Sequence, residues 1–132
     1  MPDGLGVSQR ITAGVLVIDD DTDLVHSFSH VLAPHGIPVV AARDEYEGLA
    51  AFRWSPPAVV LTDILMPEWC RTAMAMRRAR PATKIVAISR GGNQERSNFL
   101  VFAKKFGADA IVHRPFEASD LVKLLRTYVL RH

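Results

Sequence analysis

Val15-Leu16-Val17-Ile18 runs directly into Asp19-Asp20-Asp21, and the same arrangement returns in Val59-Val60-Leu61-Thr62 before Asp63 and in Ile85-Val86-Ala87-Ile88 before Ser89. These runs are apolar along almost their whole length rather than at alternate positions, which is the pattern of a strand buried on both faces of a parallel sheet. All carboxyl ends of such a sheet lie on one edge, so the carboxylates and the hydroxyl should converge in a single cleft. That cleft is acidic and suited to a metal ion.

Outward from these runs the chain alternates strand and helix. Val15 to Asp19 makes the first strand, and in Thr22 to Ala33 the residues Leu24, Val25, Phe28, Val31 and Leu32 recur at helical spacing until Pro34-His35-Gly36 stops the pattern. Ile37 to Ala41 reads as the second strand. Asp44 to Arg53 reads as a helix with an acidic N-cap and Tyr46, Leu49 and Phe52 on its inner side. Ala58 to Thr62 is the third strand, Cys70 to Ala79 a short helix carrying Ala73, Met74 and Met76 inward, and Lys84 to Ile88 the fourth strand. Asn98 to Phe106 predicts a helix with Phe99, Phe102, Ala103 and Phe106 inward and Gly107 as C-cap. Ala110 to His113 completes the strands, and Leu121, Val122, Leu124, Leu125, Tyr128 and Val129 line a last amphipathic helix. Repeated βα units imply right-handed crossovers. The expected fold is α/β: a flavodoxin-like doubly wound five-stranded parallel sheet in strand order 2-1-3-4-5, helices on both faces, its crevice near the first and third strands.

The 132 residues, with 48% hydrophobic and 23% charged content, predict one globular domain over 14–132 behind a flexible N-terminal extension, 1–13. That length leaves no space for a separately folded output domain, so the expectation is a protein that stands alone and works through partners. No apolar run approaches the ~20 residues of a membrane span, and Met1 to Thr12 lacks the pattern of a secretory signal. A cytoplasmic address with no membrane partner is expected. The single Cys70 excludes an internal disulfide. A net charge of +2, with the basic residues spread over several segments, reads as a solvated surface and predicts no direct nucleic-acid partner.

A hard divalent ion such as magnesium takes oxygen ligands, and Asp19, Asp20 and Asp63 offer them. Carboxylates brought together repel one another, which makes an ion or a cationic side chain their natural companion. Arg114 supplies the cation from the end of the fifth strand, either to a phosphoryl group or as a salt bridge to Asp63, and Pro115 biases its backbone toward an extended conformation. An Asp carboxylate is a competent nucleophile toward phosphorus when the charge on the phosphoryl oxygens is neutralised. Ser89 is placed to donate a hydrogen bond to one of them. Other signals have plainer readings: Asp21 and Asp23 as turn or N-cap residues, His26 and His30 as exposed helix positions lacking a third ligand, and His113 as a packed or hydrogen-bonded strand residue, while Trp69 reads as part of the site rim with ordinary packing as the alternative. Gly91-Gly92 lacks the GxxxxGK[ST] pattern of a phosphate-binding loop.

Ile18-Asp19-Asp20, Asp63 with Met66-Pro67 three and four positions on, Ser89, and a cation followed by Pro115-Phe116 closely resemble the receiver domain of two-component response regulators. The resemblance runs from about Val15 to the C-terminus. It implies that Asp63 accepts a phosphoryl group from a histidine kinase or a histidine phosphotransfer protein, and that the phosphorylated form binds a downstream protein partner. It implies further that Asp19 and Asp20, with Asp63 and the main-chain carbonyl of Leu65, hold Mg2+. Ser89 matches the family's switch Ser or Thr, and Arg114 its usual Lys.

The departures from the family pattern are specific. Arg114 keeps the charge in a planar fork rather than a compact ammonium. Ile111 stands where many receivers carry an aromatic residue that turns inward, so signalling must use another element, for which the loop from Arg90 to Ser97 is the best candidate. Glu68-Trp69-Cys70-Arg71 replaces the family's acidic-Gly turn, and Arg90 replaces a small residue. These changes suit a rival reading, a degenerate receiver acting as a phosphorylation-independent binding module. An aspartate-nucleophile phosphohydrolase fits less well: Asp19 to Asp23 lacks the final Thr of the DxDxT motif, and the chain has no space for a cap domain.

Overall fold

Every residue of the first strand, β1 (Val15–Ile18), is buried, as an unbroken apolar run requires of a strand covered on both faces. The computed structural model of the chain describes residues 14–63, 69–89 and 107–129, together with 101, 103 and 105. β1 is joined by β2 (Val39–Ala42), β3 (Val59–Asp63), β4 (Lys84–Ser89) and β5 (Ala110–His113) in one parallel sheet of order β2-β1-β3-β4-β5. This is the flavodoxin-like arrangement the alternation predicts.

The helices lie on both faces because neighbouring strand residues point in opposite directions. On one face α1 (Thr22–Leu32) and α4 (Ala118–Val129) set Phe28, Leu32, Leu121 and Leu125 against Val15, Val17, Leu61 and Val86. On the other, α2 (Glu45–Trp54) and α3 (Trp69–Ala79) set Phe52 and Met76 against Leu16, Ile18 and Val60. Val101, Ala103 and Lys105 are helical, and Ala103 is buried beside Ala73, Ile85 and Ala87. Gly107 ends that stretch at φ +90, a left-handed conformation open to glycine, and the Ala108 N–H donates to the Ala103 carbonyl at 3.0 Å as in a Schellman cap. The phenylalanines at 99, 102 and 106 lie outside the described residues. No helix among the described residues is long and apolar enough to cross a membrane.

Three details depart from the sequence reading. The β2 ladder begins at Val39 rather than Ile37, because Pro38 has no N–H to donate; Ile37 is core all the same, 2% exposed. Tyr46, expected on the inner side of its helix, is exposed at 72%, since α2 turns Gly48 and Phe52 toward the sheet instead. Gly48 is what permits this. A Cβ there would lie 2.5 Å from Ile18 Cδ1, so the helix approaches β1 closely along the line of residues 48 and 52 and rotates Tyr46 out. Met74 likewise faces solvent while Met76 enters the core.

One polar cluster fastens the end of α3 to the start of β4. Asp109 Oδ2 accepts from the Ile85 N–H at 2.8 Å and from Arg77 Nη2 at 2.7 Å, and that same nitrogen donates to the Gly107 carbonyl at 2.9 Å. Replacing Asp109 with Ala orphans the buried Ile85 N–H, and the expected cost is about 2 kcal/mol. Asp109→Asn keeps an oxygen for that N–H and loses only a partly exposed ion pair, for less than about 1 kcal/mol. Urea denaturation separates the two. Equal losses would assign the stability to the ion pair rather than to the backbone donor.

Candidate functional site

The carboxyl edge of the sheet gathers the polar residues that end its strands. Asp19 follows β1 and continues its pairing through an N–H donated to the Ala42 carbonyl at 2.9 Å, and the residue is 2% exposed. Asp63 is the last residue of β3, also 2% exposed. Ile18 is the register partner of Thr62, so Asp19 and Asp63 occupy the next position of their neighbouring strands. Asp63 pairs with Ile88 across to β4, which places Ser89 one step beyond, fully buried. Asp20 is exposed at the lip. Asp19, Asp63 and Ser89 thus lie at adjacent strand ends on one edge, with Asp20 exposed next to Asp19.

Local hydrogen bonding shapes this edge. Asp19 Oδ1 accepts from the Asp21 N–H at 2.8 Å, tying the strand end to the turn that follows. Asp21 is the N-cap of α1, its Oδ1 accepting from the N–H groups of Asp23 at 3.1 Å and Leu24 at 3.2 Å, the role its sequence position predicts. Ser89 Oγ is buried with no hydrogen-bond partner among the described residues. A hydroxyl in that state has a donor available for an incoming oxygen.

The fixed cation sits differently from the sequence expectation. The Arg114 N–H donates to the Ser89 carbonyl at 2.8 Å, so its backbone is anchored where β4 ends. Among the described residues the side chain makes its ion pair with Asp21, Nη1 to Oδ2 at 3.6 Å, rather than with Asp63. Two residues on, Phe116 stacks on Phe28 of α1 with ring centroids 5.1 Å apart and planes 4° from parallel. The turn after β5 is therefore held against α1 by one ionic and one aromatic contact. Neither had a signal in residue spacing, because both join segments distant in sequence.

The donor set consists of oxygen atoms and fits a hard cation. Among the described residues no three His, Cys, Asp or Glu side chains are gathered closely enough to hold an ion by themselves. Leu65, Met66-Pro67 and the loop from Arg90 to Ser97 lie outside the described residues, as does the side chain of Trp69. His26 and His30 are exposed on α1, and His113 is partly buried in β5.

The family model of the response regulator receiver domain matches residues 15–126. The transcriptional regulatory protein CseB of Streptomyces avermitilis is 29% identical over 117 residues, covering 89% of this chain and 49% of that protein. The DNA-binding response regulator MtrA of Mycobacterium leprae is 28% identical over 123 residues, covering 89% and 52%. The chain thus spans about half the length of the curated relatives it matches. Among solved structures, the receiver domain of NtrX from Brucella abortus superposes with a TM-score of 0.75 at 26% identity over 87% of this chain and 97% of that one. A CheY-like response regulator receiver domain protein from Methanospirillum hungatei gives 0.75 at 27% identity over 89% and 93%.

A buried hydroxyl without a partner contributes nothing to the fold and costs its desolvation. Ser89→Ala is therefore expected to leave unfolding stability unchanged or raise it by up to about 1 kcal/mol. A loss of about that size in a denaturant titration would show that the hydroxyl is bonded in the resting protein.

Proposed function

This chain belongs to the response regulator receiver domain family, and from that premise we propose that Asp63 is its phosphoacceptor and that phosphorylation controls binding to a protein partner. The observation that carries the reading is the placement of Asp63, 2% exposed at the end of a central strand, with Asp19 and Ser89 buried at the ends of the two strands beside it. In this reading the donor is the phosphohistidine of a histidine kinase or histidine phosphotransfer protein. A carboxylate oxygen of Asp63 bonds to phosphorus as the phosphorus–nitrogen bond breaks, and the electron pair returns to the imidazole. Water later releases inorganic phosphate and restores the carboxylate.

Each neighbour has a task that follows from its chemistry. Ser89 donates its hydroxyl to a phosphoryl oxygen, and Arg114 offsets the charge that arrives with the group. Receiver domains generally bind magnesium at the phosphorylation site; here Asp19, Asp20, Asp63 and the Leu65 carbonyl would hold it. When bound, the ion neutralises charge on the phosphoryl oxygens. The direct partners in this reading are proteins.

Intact mass after treatment with acetyl phosphate and magnesium tests the proposal. The native protein should gain one phosphoryl group and Asp63→Asn none; no gain in the native protein would overturn the reading in favour of a phosphorylation-independent binding module. Asp20→Asn and Asp63→Asn should each weaken magnesium binding, followed by amide shifts at the strand ends, because each removes a negative oxygen from the ion's surroundings. Unchanged affinity in both would remove the metal site.

A further inference from the structure

We propose that Asp21 is a positioning residue for phosphoryl transfer: its carboxylate holds the Arg114 guanidinium in the resting protein and gives it up to the phosphoryl group on Asp63. This rests on the phosphoacceptor reading and deepens it. The two oxygens of Asp21 have separate duties, Oδ1 capping α1 and Oδ2 facing Arg114. The ionic duty can therefore end without uncapping the helix.

The pair is built to be broken. Its 3.6 Å separation is well beyond the ~2.8 Å of a charge-assisted hydrogen bond. Both side chains are 32% exposed, so water screens the attraction and the pair is weak. Arg114 is tethered by its backbone to the Ser89 carbonyl, so the guanidinium is the part that moves, swinging about a fixed Cα beside the candidate site. The Asp21 N–H is bound to Asp19 Oδ1, which keeps the competing carboxylate next to the same cleft. A phosphoryl group brings nearly two negative charges and three acceptor oxygens against the single charge of Asp21, and the planar fork of Arg suits those oxygens in pairs. The resting pair thus opposes phosphorylation by the free energy needed to open it.

The test uses the full chain, with beryllofluoride and magnesium imitating the phosphoryl group on Asp63. Asp21→Asn keeps an oxygen for the cap while removing the charge that holds Arg114. Beryllofluoride should bind about 1.5- to fivefold more tightly to Asp21→Asn, the range set by a partly exposed ion pair. In an Arg114→Ala background the same substitution should change the affinity little, because no cation remains to be released. Without ligand, the Arg114 side-chain nitrogen resonance should shift in Asp21→Asn, a readout that a purely capping role would leave unmoved. Equal affinity in the native and Asp21→Asn proteins, or an equal gain with and without Arg114, overturns the positioning role alone. Absence of beryllofluoride binding in all the variants and in the native protein overturns the phosphoacceptor reading and this proposal with it.

Discussion

Two carboxylates almost withdrawn from water at neighbouring strand ends are the constraint on which the rest of this structure turns. An ionised carboxylate in such a position costs several kcal/mol unless donors and charges compensate it, and Asp19 and Asp63 are each 2% exposed. The sheet creates the problem by bringing every carboxyl end to one edge. It also supplies part of the answer, since the chain must turn into α1 directly after β1 and the turn presents the Asp21 N–H to Asp19 Oδ1. The aliphatic layers on both faces keep the cleft fixed: β1, β3 and β4 are held from one side by α1 and α4, and from the other β1 and β3 by α2 and α3 and β4 by Ala73 of α3 and Ala103. A rigid frame around a charged edge is the condition for a site whose groups must stay within reach of one another.

The fold was legible because the strand runs leave little freedom. Val15 to Ile18 and Ile85 to Ile88 have no polar face to show to water, so only a sheet covered on both sides accommodates them. What sequence periodicity missed was set by single backbone events. Pro38 delays the β2 ladder, and the missing side chain of Gly48 lets α2 press on Ile18 and turns Tyr46 outward. A hydrophobic pattern counts Tyr46 as a candidate for the core; it does not register that an absent Cβ elsewhere on the helix chooses the inner face.

The site divides along the same line. Asp19, Asp63 and Ser89 share the edge that their strand-terminal positions imply, because parallel pairing converts a position in sequence into a place in space. The partner of Arg114 was not legible. A long side chain leaving the turn after β5 has several carboxylates within its compass, and residue spacing does not rank Asp21 against Asp63. The stacking of Phe116 on Phe28 was hidden for the same reason, although both residues were recognisable as apolar positions.

These two contacts bear on how a receiver with Ile111 at the usual aromatic position would carry a signal. Ile111 is partly buried against the aliphatic cluster of Ala73, Ile85, Ala87 and Ala103, and a branched aliphatic side chain has no ring to swing between two environments. Arg114 does have two places to go in the proposed reading, Asp21 and the phosphoryl group. Its backbone bond to Ser89 and the Phe28–Phe116 stack hold the surrounding chain in place, so its departure need not move the backbone. What changes is charge. The carboxylate at the start of α1 loses its cation while continuing to cap the helix. In that reading the state of Asp63 alters the electrostatics at the N-terminal end of α1, while the Phe28–Phe116 stack leaves the geometry there unchanged.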